Sequence, residues 1–363
     1  MAGKYVAYVA SNTNTNGNKG LGIYDVDDTV GTMKIREEIA ANNASYLKIS
    51  EDKQYLYVLV DEGINSYKIL SNGNLEYMNT APIRGMRGCY IDISPDNKYI
   101  FVAGMYDGKA TVLRLNEDRS VGEITENYFN KGMGSVAETN ATPHITCVKP
   151  TPDGKYVCVV DAGMNQIKIM EFDHHNGRMH MQEMVHCEQN SGPRMVLFDK
   201  TGKYMYVIFG KLSFIKVYSY DGSGAGPVFE ELQKESTARI KNSTNNTALA
   251  MRFSPDEKYL LCSNGGDNTV GVFERDIETG LLKRLCVLPI SGAYPMDMGV
   301  IADSNYMFSV NNEEGTITFF ELNLHKMIED KDGNIVEKNY FAMCSIPVKV
   351  PQPNCMRVMK IEE

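Results

Sequence analysis

Apolar runs of five or six residues recur along the chain, each led by a tyrosine. Tyr55-Leu56-Tyr57-Val58-Leu59-Val60 and Tyr156-Val157-Cys158-Val159-Val160 are two of them. A continuous apolar run of this length reads as a strand buried on both faces. A polar turn follows, such as Asp61-Glu62-Gly63 or Asn264-Gly265-Gly266-Asp267-Asn268. Next comes a segment that alternates, as in Gln166-Ile167-Lys168-Ile169-Met170, Thr269-Val270-Gly271-Val272-Phe273 and Thr316-Ile317-Thr318-Phe319-Phe320. An outer strand is expected beyond glycine-containing turns such as Glu278-Thr279-Gly280. No long segment has a 3.6-residue period, so very little helix is expected.

The turn ahead of each tyrosine is itself repeated. It reads Ser94-Pro95-Asp96-Asn97-Lys98-Tyr99 and Ser254-Pro255-Asp256-Glu257-Lys258-Tyr259. Looser copies are Ser50-Glu51-Asp52-Lys53-Gln54-Tyr55, Thr151-Pro152-Asp153-Gly154-Lys155-Tyr156, Lys200-Thr201-Gly202-Lys203-Tyr204 and Ala302-Asp303-Ser304-Asn305-Tyr306. Proline at the second position presets the turn, and the aspartate can bond the backbone beyond it. The tyrosines at 55, 99, 156, 204, 259 and 306 are spaced by 44, 57, 48, 55 and 47 residues. A strand-rich repeat of roughly 40–50 residues is the signature of a β-propeller.

Six repeats are complete and a seventh is split. Residues 3–11, 20–26 and 33–40 look like second, third and fourth strands lacking a first. Asn354-Cys355-Met356-Arg357-Val358-Met359-Lys360 looks like a first strand with nothing after it. Joining the two ends makes one blade, closes the ring and leaves no open sheet edge. The expected fold is therefore all-β: one domain over residues 1–363, a seven-bladed propeller of four-stranded antiparallel blades. Residues 12–19 read as an exposed loop, and residues 325–340 as a hairpin extension around Asp332-Gly333-Asn334.

Charge and composition narrow the function. The net charge of −9 and the lack of a dense basic cluster argue against a nucleic-acid partner. No apolar stretch has the length of a signal peptide or a membrane span, so no membrane partner and a cytoplasmic location are expected. The eight cysteines include no C-x-x-C pair and mostly sit in apolar runs, which reads as reduced, buried thiols. His174, His175, His180 and His186 crowd one blade, but no thiol or carboxylate spacing supports a zinc geometry. Neither a metal nor a cofactor is expected.

The Pro-Asp-Gly-Lys-Tyr turns, together with Thr142-Pro143-His144-Ile145-Thr146 and Gly192-Pro193-Arg194-Met195, resemble the lactonase-type seven-bladed propellers. That family includes bacterial 6-phosphogluconolactonase and the fungal carboxymuconate cyclase. The resemblance runs the whole chain, and it implies a polar site at the loops leading into consecutive inner strands. His144 and Arg194 match the family's Pro-His and Gly-Pro-Arg positions. The family's second histidines correspond to Thr146 and Met195. Phe209-Gly210-Lys211 stands where the family often has Asn-Glu-Leu, Asn264-Gly265 where it has Asn-Arg, and Pro295-Met296 where it has Pro-Arg. Asp161-Ala162-Gly163 resembles its Asp-Leu-Gly.

Residues on or just before the inner strands face the central channel. The candidates are Arg87, His144, Arg194, Arg252, Asp297 and Arg357. Several arginines with one histidine favour a small, anionic, carbohydrate-like ligand, because a guanidinium grips a carboxylate or phosphate in bidentate fashion. The resulting expectation is hydrolysis of a sugar lactone or related anionic cyclic ester. His144 would be the base and Arg194 the oxyanion or anion binder, with Arg87, Arg252, Asp161 and Asp297 in substrate contact. Asp161 has a second reading, as a turn cap. The competing class is a non-catalytic propeller binding a small anion or a protein. A six-bladed, metal-dependent gluconolactonase fits less well, since seven inner strands can be counted.

Overall fold

In the computed structural model, residues 5–13, 17–132, 142–240, 245–323, 328–329, 335–337 and 340–361 are described. They contain strands and turns, and among them no helix is long and apolar enough to cross a membrane. Seven sheets, each with at least four antiparallel strands, surround a central channel.

Blades one to six follow chain order, and their innermost strands are Tyr46–Ile49, Tyr90–Ile93, Ile145–Pro150, Pro193–Phe198, Thr247–Phe253 and Pro295–Val300. The seventh blade takes its inner strand, Pro353–Lys360, from the C-terminal end and the rest from Tyr5–Ser11, Gly20–Asp27 and Thr32–Ala40. Tyr5 pairs with Lys360, Tyr8 with Arg357 and Ala10 with Cys355, so the split blade closes the ring as expected. The hairpin expected within residues 325–340 is present as Ile328–Glu329 paired with Ile335–Glu337; its turn and residues 14–16 of the loop at 12–19 lie outside the described residues.

Four copies of the repeated turn, opened by Ser50, Ser94, Thr151 and Ser254, share one side-chain geometry. Ser94 Oγ accepts from Lys98 N and Tyr99 N and donates to Asp96, while Asp96 accepts from Lys98 N at 3.2 Å. The residue after the aspartate position is left-handed in five copies, Lys53, Asn97, Gly154, Gly202 and Glu257, with φ between 55° and 72°; in the sixth the left-handed residue is the aspartate itself, Asp303, at φ 57°. Glycine or asparagine there relieves strain that lysine and glutamate must carry.

Tyrosines of the apolar runs latch five of the seven blade junctions. Tyr57 OH donates to Arg119 O at 2.8 Å, Tyr99 OH to His174 O at 3.0 Å, Tyr206 OH to Gly280 O at 2.6 Å and Tyr306 OH to Thr29 O at 3.0 Å. Tyr8 OH reaches Gly73 O at 2.8 Å and carries the pattern across the closure into blade one. The latches of the buried tyrosines satisfy phenols within interfaces packed with fully buried Val, Leu, Ile and Phe, while the Tyr306 latch lies at the surface.

Candidate functional site

Counting back from the position five residues before each repeated tyrosine (Ser50, Ser94, Thr151, Asp199, Ser254 and Ile301) orders the channel into layers. Two residues before it stand Lys48, Asp92, Lys149 and Arg252; four before it stand Tyr46, Tyr90, Cys147 and Met195; five before it stand Ser45, Cys89, Thr146, Arg194, Leu249 and Met296. Asn354 on the closing strand completes that last layer. All seven members of it line one cavity of about 70 Å³ at the channel mouth, away from the repeated turns.

The inner strands of blades three to six reach this layer through irregularities in register. Ile145 pairs with Asp161 and Cys147 with Val160, leaving Thr146 extra. Arg194 is extra between Pro193 and Met195, and Met296 between Pro295 and Asp297. A shift also falls between Ala248 and Met251. One inserted residue turns two neighbours toward the same side. That is why Arg194 and Met195, and Met296 and Asp297, line the cavity together.

Arg194 is half-buried, and its Nε donates to Leu249 O at 2.9 Å. Its two Nη groups have no protein acceptor among the described residues. Below it the channel is closed by a polar plug. Arg252 Nη2 reaches Asp297 at 2.7 Å and, crossing from blade five to blade one, Tyr46 OH at 3.1 Å. Arg357 Nη1 meets the other oxygen of Asp297 at 2.5 Å, and its guanidinium lies over the Tyr46 ring. Tyr46 packs on Tyr90 with centroids 5.1 Å apart, and Tyr90 OH donates to Asp92 at 3.1 Å. Lys48 and Lys149 each approach Asp92 to 2.6 Å.

Burial opposes ionisation of Asp297, but the Arg252 and Arg357 guanidiniums outweigh it and hold the carboxyl below the usual range. Burial also opposes ionisation of Asp92, where Lys149 and Lys48 win. Burial pushes the Cys89 thiol up to about 11, with Arg194 pulling weakly the other way. It raises the Tyr46 phenol as well. No side chain lining the cavity is therefore a free base near neutral pH among the described residues.

The other expected site residues are placed as follows. His144 leads into the inner strand of blade three and is partly exposed; its Nε2 lies 3.3 Å from Thr142 Oγ1, and it does not line the cavity. It is tied to the Arg194 segment through Thr146, whose Oγ1 donates to Pro193 O at 3.2 Å. Arg87 does not reach the cavity either. It clamps the preceding loop, donating to Asn43 O at 2.8 Å and lying 3.5 Å from Asp61. Asp161 is fully buried and already saturated: its oxygens accept from Asn130 Nδ2 and from the backbone N–H groups of His144, Gly163 and Met164. It fixes the turn beneath His144, a role that leaves it nothing to offer a substrate. Arg252 and Asp297 neutralise each other, so neither is a free ligand contact. Asn264 and Asn311 cap turns, with Thr269 Oγ1 and Thr316 Oγ1 accepting at 3.0 and 3.2 Å.

Tyr46, Tyr90, Lys48, Asp92 and Lys149 were missed. The signal for three of them was present: a charged residue recurs two positions before the repeated turn in four of the inner strands.

A family model described as lactonase, seven-bladed β-propeller, matches residues 6–338. A Staphylococcus epidermidis protein described as uncharacterized is 26% identical over 327 residues, covering 87% of this chain and 92% of its own. A Staphylococcus aureus relative is 27% identical over 329 residues with the same coverage. Among solved structures, the Pseudomonas aeruginosa periplasmic gluconolactonase superposes with a TM-score of 0.86 at 20% identity, covering 99% of both chains. A Bacteroides fragilis protein, provisionally described as a 6-phosphogluconolactonase, does so at 0.83 and 23%, covering 98% of both. These likenesses establish the shared fold, and the match to the family model over nearly the whole length makes this chain a member of the lactonase seven-bladed β-propeller family.

Proposed function

We propose that the protein is a lactonase-type hydrolase acting on an anionic sugar lactone of the 6-phosphogluconolactone class. The observation that carries this reading is the Arg194 guanidinium at the channel mouth, anchored through Nε, with neither Nη group meeting a protein acceptor among the described residues. The cavity of about 70 Å³ is far below the roughly 300 Å³ at the small end of ligand pockets. A sugar ring therefore sits across the mouth and directs an oxygen toward Arg194. His144 belongs to the adjoining rim, where a bound ring would pass.

In this reading His144 takes a proton from water as the oxygen attacks the lactone carbonyl carbon. Arg194 stabilises the oxyanion. The ring C–O bond then breaks, and the departing oxygen takes up the proton to give the hydroxy acid. The eight unpaired cysteines fit a reducing, cytoplasmic setting for this chemistry.

A panel of lactones that includes 6-phosphogluconolactone tests the reading. Arg194→Ala is expected to lower kcat/KM by roughly 10²–10³ and His144→Ala by roughly 10²–10⁴. Turnover no faster than spontaneous hydrolysis on every member refutes it. One observation favours a second reading, binding without catalysis: among the described residues no free base lines the cavity itself. Under that reading wild type binds a phosphosugar acid, Arg194→Ala does not, and neither turns over a lactone.

A further inference from the structure

The charged side chains beneath the Arg194 mouth are unbalanced. Asp92 is shared by Lys48 and Lys149 at 2.6 Å each. Asp297 is shared by Arg252 and Arg357 at 2.7 and 2.5 Å. Four cations against two carboxylates leave an excess of two positive charges inside a protein whose net charge is −9. Uncompensated charge held out of bulk water is costly.

Exposure is divided unequally between the two signs. The carboxylates are sealed, with side chains 3% and 2% exposed, whereas Lys48, Lys149, Arg357 and Arg252 retain 29%, 21%, 21% and 17%. The exposed part of these charges is thus almost entirely cationic. Donors remain as well: each lysine has a single acceptor, and no acceptor is found for Arg357 Nε and Nη2 among the described residues. The Arg357 charge also reaches Lys48, whose ammonium is disfavoured first by burial. The Tyr46 and Tyr90 rings, tilted at 39° to each other, and Met195 stand between the lysine pair and the Arg194 mouth.

The geometry points to a second anion site, in the half of the channel nearer the repeated turns, where Lys48, Lys149 and Arg357 hold a small dianionic oxyanion of the phosphate type beside the Asp297-paired Arg252. Its charge matches the excess, and its oxygens accept from lysine and arginine donors on several blades at once. The site is distinct from the proposed catalytic mouth and does not depend on that activity.

The probe is inorganic phosphate at pH 8, titrated at ionic strength held constant with sodium chloride, and followed by calorimetry and by melting temperature. Saturable binding that raises the melting temperature is expected in wild type and equally in Arg194→Ala. Lys48→Met, which leaves the Lys149–Asp92 pair, is expected to weaken binding by roughly tenfold or more. Asp92→Asn, which exposes a further uncompensated positive charge, is expected to tighten it. No saturable binding in wild type overturns the proposal. So does loss of binding in Arg194→Ala, which would place phosphate at the mouth, or weaker binding in Asp92→Asn. If Lys48→Met or Asp92→Asn fails to fold, the wild-type and Arg194→Ala titrations still decide. Failure of the hydrolase reading would appear in the lactone panel and leave these titrations unaffected.

Discussion

Replacing Asp297 with asparagine removes the charge that holds two arginines in the channel. The carboxylate is 2% exposed and contacts Arg252 at 2.7 Å and Arg357 at 2.5 Å. Removing one partner of a buried ion pair costs about 3–5 kcal/mol, because the other charge is left without compensation. For 363 residues at about 2.1 cal/mol/K each, the unfolding entropy is roughly 0.76 kcal/mol/K, so the expected fall in Tm is about 4–7 °C. The assay is reversible thermal unfolding at pH 7, with Asp303→Asn as the control. Asp303 is 69% exposed and paired only with the exposed Lys360, and its replacement is expected to leave Tm unchanged.

The pH dependence has a definite sign. Asp297 titrates below its unfolded range, so its stabilisation is complete above the ordinary carboxylate range and is lost as pH falls through its depressed value. The gap between wild type and Asp297→Asn is therefore full at neutral pH and narrows in acid. A Tm loss under about 1 °C at pH 7, or a gap that widens in acid, refutes the reasoning.

Deleting residues 350–363 removes the inner strand that pairs with Tyr5–Ser11, and is expected to lower the unfolding midpoint of the whole ring; a melting curve like that of wild type would contradict closure by this strand. Tyr99→Phe removes one blade-to-blade latch and is expected to cost about 0.5–1.5 kcal/mol in urea unfolding without changing the lactone panel. Cys344 is the one exposed thiol, while burial pushes Cys147, Cys262 and Cys355 up to about 12. A maleimide at pH 7.5 is therefore expected to modify Cys344 first, as read by peptide mass spectrometry.

The sequence alone determined the scaffold. Strand identity follows from runs such as Tyr156-Val157-Cys158-Val159-Val160, blade number from the spacing of the turns, and ring closure from a missing first strand at one end matched by an unpaired strand at the other. Each of these is a local signal, because hydrophobic period, turn chemistry and repeat length are written within single blades. His144 and Arg194 were also legible as residues leading into inner strands.

What each side chain does was decided by tertiary structure. Asp161 reads as a possible substrate contact until its buried oxygens are seen to be filled by four N–H donors. Arg252 and Asp297 are 45 residues apart and become partners only when blades five and six meet across the channel. The irregular register that brings Arg194 and Met195 to one side comes from strand pairing, which no single strand's sequence displays. Charge in a propeller channel is a property of the whole ring: seven distant strands each contribute one residue per layer, and only closure sets Lys48, Asp92, Lys149, Arg252 and Arg357 against one another.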